Sequence, residues 1–353
     1  MPAREHRWNP VCGPPDVLHR PVRIDPTGRR GPTPGQAVGP RWRRSSHGFY
    51  VPASADRCVP EQRILEESMR LPAGGAVTGW AACRLASANF LDGLTPDGRS
   101  ERPVQLAVGP GQSRRKVEGV DFLQDRLDPE EVVGRLGIPC TNVLRALFDE
   151  MRLADDVREA VVAMDMMAAA ELVSISRMRA YADAHAGWRG VPVVRQALDL
   201  ADEDSRSPAE TRTRLVWILD AGLPRPLVNR PVFTLDGKLL GYADLFDAEA
   251  GMFGEYDGAE HRRASRQARD VGREDRCRRA GLEYFKVTAL DLPDRALVVD
   301  RMRATRSRAR FLPPSRRRWT LAPPPGWFEQ SPEDAMTLDE RLAYRARLHG
   351  LAG

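Results

Sequence analysis

The stretch from Gly241-Tyr-Ala-Asp-Leu-Phe-Asp247 to Gly254-Glu-Tyr-Asp-Gly-Ala-Glu-His261 constrains this chain more than any other. It reads as two short strands joined by a tight connection, Ala248-Glu-Ala-Gly251. A turn centred between Glu249 and Ala250 sets Asp244 directly opposite Glu255, with Cβ atoms roughly 4.5–5.5 Å apart. Strand side chains alternate faces, so Asp257 joins them on one side. Asp and Glu are depleted in strands, and like charges this close repel unless a proton or a cation intervenes. A hard divalent cation such as Mg²⁺, or Mn²⁺ in its place, takes oxygen ligands of this kind.

With 353 residues the chain has room for two or three domains, each able to bury a core. The formal net charge of +5 leans towards acidic partners, with DNA the leading candidate. Nearly all of the positive charge is Arg, the lysines being Lys116, Lys238 and Lys286. Cys12, Cys58, Cys83, Cys140 and Cys277 are dispersed and odd in number, with no CxxC pair. That argues against a disulfide framework and a zinc site, and for a reducing, cytoplasmic setting. No run of about 18 apolar residues and no signal-type apolar region occurs, so no membrane partner is expected.

Residues 1–40, rich in Pro, Gly and Arg, read as an irregular arm. Residues 41–200 read as an α-rich accessory domain with a few short strands. It opens with the basic ribbon Gly39 to Pro52, which has the character of a winged-helix wing. Leu127-Asp-Pro-Glu-Glu-Val-Val133 is expected to start a helix, with Asp128 as N-cap and Pro129 at N1. Asp155 to Ala182 is expected to continue as helix, with Met164, Met166 and Met167 as core filling.

Residues 205–311 form the second expected domain, in the order α-β-β-β-α-β-α. Ser207-Pro-Ala-Glu210 begins its first helix as a capping box, and Leu215, Ile218 and Leu219 are its apolar face. Asp236-Gly237 marks a hairpin turn, and a long basic helix spans Ala259 to Ala280. Residues 312–353 read as a Pro-rich linker and a terminal helix.

The motifs of the second domain, in order, are Ser207-Pro-Ala-Glu210 with Arg214, Gly222-Leu-Pro-Arg-Pro226, Asn229, and Gly241-Tyr-Ala-Asp244. Glu255-Tyr-Asp-Gly258 with His261, Arg269-Asp270 with Arg273, and Lys286-Val-Thr288 follow. This series resembles the PD-(D/E)XK nuclease superfamily, in its very-short-patch-repair endonuclease branch. The resemblance implies a restriction-endonuclease-like α/β (α+β) domain with a central mixed sheet, and Mg²⁺- or Mn²⁺-dependent cleavage of phosphodiesters. It implies Asp244, Glu255 and the Tyr256 carbonyl as metal ligands, with Glu210 contributing to catalysis. Where that superfamily carries a lysine, two positions beyond the second acid, this chain has Asp257. Either His261 or Lys286 then serves as base or charge stabiliser. Arg262, Arg266, Arg269 and Arg273 are expected to track nucleic-acid phosphates.

In the front part, Trp42-Arg-Arg-Ser-Ser-His-Gly-Phe-Tyr-Val-Pro52 and Gly74-Gly-Ala-Val-Thr-Gly-Trp-Ala-Ala82 resemble abortive-infection type IV antitoxin proteins. Two function classes follow: a metal-dependent endonuclease of defence or repair, and a non-catalytic, antitoxin-type DNA-binding regulator with a degenerate nuclease domain. A homodimer or a toxin–antitoxin partner is compatible with either.

Overall fold

The computed structural model of the protein describes residues 18–111, 115–258, 264–327 and 332–348. The chain divides into two compact units, Asn9–Asp199 and Leu200–Gly353.

In the first unit a short helix, α1 (Pro34–Ala37), precedes the antiparallel ribbon β1 (Trp42–Ser46) and β2 (Phe49–Pro52), and α2 (Pro60–Ser68) follows. Next come β3 (Ala76–Thr78), α3 (Gly79–Leu85), β4 (Val104–Ala107), β5 (Val120–Leu123), β6 (Val132–Arg135) and β7 (Ile138–Thr141). These strands form one mixed sheet in the order β5-β4-β3-β7-β6. Residues 41–200 are therefore a mixed α/β unit with far more sheet than the α-rich expectation allowed. The helix expected from Leu127 is replaced by a single 3₁₀ turn at Pro129–Glu131 that runs straight into β6. Its β-branched Val132 and Val133 favour a strand. Leu136 and Gly137, both at positive φ (49° and 70°), close the β6–β7 hairpin.

Four helices complete this unit: α4 (Val143–Arg152), α5 (Val157–Ala169), α6 (Ile175–Ala184) and α7 (Val191–Leu200). The long helix expected over Asp155 to Ala182 is broken, because the Ser174 hydroxyl caps a new start by accepting the Arg177 N–H. Met164, Met166 and Met167 are buried, as core filling requires. The buried carboxylate of Asp149 accepts from Thr78 Oγ1 (2.7 Å), Arg145 Nε (2.9 Å) and Arg152 Nε (2.8 Å), tying β3 to α4. A buried charge persists only when paired and hydrogen-bonded in this way.

The second unit starts with α8 (Pro208–Leu215), capped by Ser207. At Val216–Asp220 the helix widens into a π turn. An i→i+5 turn adds a residue and rotates the apolar face. Val216 and Trp217 are therefore buried, while Leu219, expected in the core, is exposed. Then follow β8 (Leu227–Thr234), β9 (Leu239–Asp247), β10 (Met252–Asp257), α9 (Ala264–Arg279), β11 (Glu283–Thr288), α10 (Arg295–Arg308), β12 (Trp319–Thr320) and α11 (Leu338–Leu348).

Strand order is β11-β10-β9-β8-β12, with β10 and β11 parallel and the other neighbours antiparallel. The sheet carries an apolar cluster on each face. Met252, Phe285 and Val287 pack with Trp217, Val298 and Met302. Phe253 and Tyr284, from alternate positions of the same strands, pack with Phe246, Cys277 and Trp319. The stretch from residue 312, expected to be only a linker, supplies β12 to the sheet edge through Trp319 and Thr320.

Candidate functional site

The β9–β10 register pairs Met252 with Asp247, Phe253 with Phe246 and Gly254 with Leu245. The turn is thus centred between Glu249 and Ala250, where the sequence reading put it. Asp247 Oδ1 accepts the N–H groups of Glu249 and Ala250, each at 2.9 Å, and Gly251 takes φ +71°. An acceptor aimed at turn amides and a left-handed glycine are what a hairpin this short needs. One step beyond the last pair, Asp244 and Glu255 face each other. There Tyr256 N–H donates to Asp244 Oδ2 at 2.7 Å.

Glu255 is 7% exposed and both of its oxygens are engaged. Arg273 Nη1, from α9, donates to Oε1, and the Tyr284 hydroxyl, from β11, donates to Oε2. Gly241 leaves room for that arginine, since a Cβ there would lie 3.0 Å from Arg273 Cδ. Asp244 sits among more negative charge. Burial, then the carboxylates of Glu210 and Glu255, hold its carboxyl well above the usual Asp range, against the Tyr256 N–H and Arg273.

Glu210 does more than cap α8. Its Oε1 accepts from Ser207 Oγ at 3.1 Å, and its Oε2 accepts from the Arg206 N–H at 3.1 Å and Asn229 Nδ2 at 2.8 Å. Asn229 lies in β8 with φ 48°.

Glu210, Asp244 and Glu255 thus act on one another electrostatically, whereas Asp257 is committed elsewhere. Its Oδ2 is 2.8 Å from Lys286 Nζ, so the ammonium missing from β10 arrives beside Asp257 from β11. Arg273, expected on phosphates, is held on Glu255 instead. Arg266 and Arg269 fall on α9, but their side chains lie outside the described part of the structure, as do His261 and Arg262.

Three contributions escape a reading of the sequence: the Arg273 and Tyr284 clamp on Glu255, and the Asn229 link to Glu210. Asn229-Arg-Pro231, two strand-poor residue types inside an apolar strand, is the one local sign of the last.

Among the described residues no group of three or more His, Cys, Asp or Glu side chains is arranged to hold a metal ion. Nor is any described helix long and apolar enough to cross a membrane. Compared with protein-family models, curated proteins and solved structures, the chain matches none.

Proposed function

We propose that the second unit is a metal-dependent nuclease of the PD-(D/E)XK kind, hydrolysing phosphodiester bonds in DNA. The observation that carries this reading is the carboxylate cluster itself. Asp244, buried between Glu210 and Glu255 and held towards its protonated form, marks a point of uncompensated negative charge. Such charge is tolerated where a cation settles. An ammonium group, Lys286, stands on the adjoining strand.

The donor set fits Mg²⁺, which keeps most of its waters and is typically bound through one or two carboxylates. A cluster of three protein ligands is not required. Asp244, Glu255 and the Tyr256 carbonyl would hold the ion, which when bound supplies Lewis-acid polarisation and a more acidic water. Asp244 and Glu255 contribute the negative charge that retains it. The Tyr256 N–H fixes the Asp244 carboxylate. Lys286, kept in place by Asp257, supplies positive charge to a phosphate oxygen. Arg273 and Tyr284 shape Glu255 before loading, and Arg273 is displaced or shared once a divalent ion arrives.

Plasmid nicking by the full-length protein with Mg²⁺ or Mn²⁺ tests the reading. Wild type is expected to cleave, and Asp244→Ala and Glu255→Ala to lose cleavage while still folding. Absence of metal-dependent cleavage on double-stranded, single-stranded and mismatched DNA refutes it.

One observation favours a second reading, a DNA-binding regulator that does not cut. Both oxygens of Glu255 and one of Asp257 are already partnered by protein groups. Metal-independent DNA binding with no cleavage is its signature.

A further inference from the structure

The β8–β9 ladder runs in register from Leu227↔Phe246 to Val232↔Gly241, but one pair is missing from it. Val228↔Leu245 and Arg230↔Ala243 flank the gap, and the absent pair joins Asn229 to Asp244. Asn229 leaves the extended conformation at that point, with φ 48°. Among the described residues, the other non-glycine positive-φ positions (Ser87, Leu136, Glu171 and Phe311) all lie outside strands. Asn tolerates the left-handed region better than most residues, though at a cost of about 1–2 kcal/mol against extended backbone. Strain held inside a central strand calls for a compensating contact.

The contact is present. The buried amide of Asn229 donates through Nδ2 to the Asp204 carbonyl (2.8 Å) and to Glu210 Oε2 (2.8 Å). The first bond anchors the amide to the backbone ahead of α8. The second fixes the carboxylate of α8's first turn. A regular strand residue at 229 would complete the ladder with Asp244 and surrender this aim.

We infer that Asn229 is a positioning residue: it leaves the ladder opposite Asp244 in order to hold the Glu210 carboxylate at the Asp244–Glu255 pair, completing the cation site from a third element. This deepens the nuclease reading and rests on it. Glu210 then adds charge near the ion, and Asn229 acts only through Glu210.

The test is Mn²⁺ alone, titrated into the full-length protein and followed by the electron paramagnetic resonance of the free ion. Asn229→Gly keeps the left-handed backbone, for which glycine is the best residue, and deletes only the amide. It is expected to weaken Mn²⁺ binding about 10–100-fold, the usual effect of losing a residue that orients a metal ligand. Glu210→Gln, which leaves Asn229 in place, is expected to lose affinity similarly. The double variant is expected to bind no more weakly than Glu210→Gln. If Asn229→Gly binds Mn²⁺ as tightly as wild type, Asn229 serves the backbone alone and the inference falls. It falls equally if the two losses add, or if Glu210→Gln keeps wild-type affinity. Failure of wild type itself to bind Mn²⁺ overturns the metal reading instead, a distinct result.

Discussion

Replacing Tyr284 by Phe removes one oxygen and leaves the ring. The ring is what packs: Tyr284 stacks on Phe253 with centroids 5.7 Å apart and planes at 19°. No cavity opens, so the cost is that of the hydrogen bond to Glu255. Both partners are nearly dry, at 6% and 7% exposure. A hydrogen bond to a charged group contributes about 1.5–3 kcal/mol, and leaving a buried acceptor unmet forfeits its desolvation energy as well. Arg273 still neutralises the other oxygen of Glu255, which places the loss near the lower half of that range, at about 2 kcal/mol. For a unit of this size that lowers the melting temperature by about 4–8 °C. Urea and thermal unfolding of Tyr284→Phe measure it directly. A loss below about 0.5 kcal/mol would mean that Glu255 is hydrated or protonated in the folded protein, and the account of a clamped, ionised Glu255 would be wrong.

Two further predictions concern the same strands. The folded pKa of Asp244 is raised, so the stability it contributes is complete below the ordinary Asp value of 3.8 and is lost as pH rises through the folded value. Without divalent ions, Asp244→Asn should therefore be more stable than wild type at about neutral pH, with the gap closing towards pH about 4; thermal melts across that range check it, and an unchanging gap contradicts it. Gly254→Ala would set a Cβ 2.3 Å from two ring carbons of Phe285, and is expected to cost at least about 1–3 kcal/mol by overpacking, measured as a shift in the urea midpoint.

The hairpin was legible because its information is local. Turn residues, strand alternation and the position of four acids determine the register, and Asp244 opposite Glu255 follows without tertiary knowledge. The π turn was not legible, since one extra residue per turn leaves no mark on a period-3.6 pattern, and Leu219 in place of Trp217 looked equally apolar. The sheet of the first unit was hidden for another reason. Its strands are three or four residues long, too short to display alternation, and several are buried along their whole length. Arg273 shows a third limit: a basic helix face advertises charge, while the choice between a phosphate and Glu255 is made by the missing side chain of Gly241 on another strand.

The two residues of β12 have a consequence out of proportion to their number. Trp319 and Thr320 pair with Thr234 and Phe233 at the end of β8, and the Trp319 ring lies edge-on to Phe246 at 5.1 Å. Trp327 likewise meets Phe233 at 4.8 Å. They cover the sheet margin farthest from β11, where an open strand would otherwise invite pairing with a second copy of itself. Pro231, two residues from the covered stretch, guards the remainder by offering no N–H. The segment that reads as a tether is thus a safeguard against self-association, and the unit's solubility depends on residues that lie well past its last long helix.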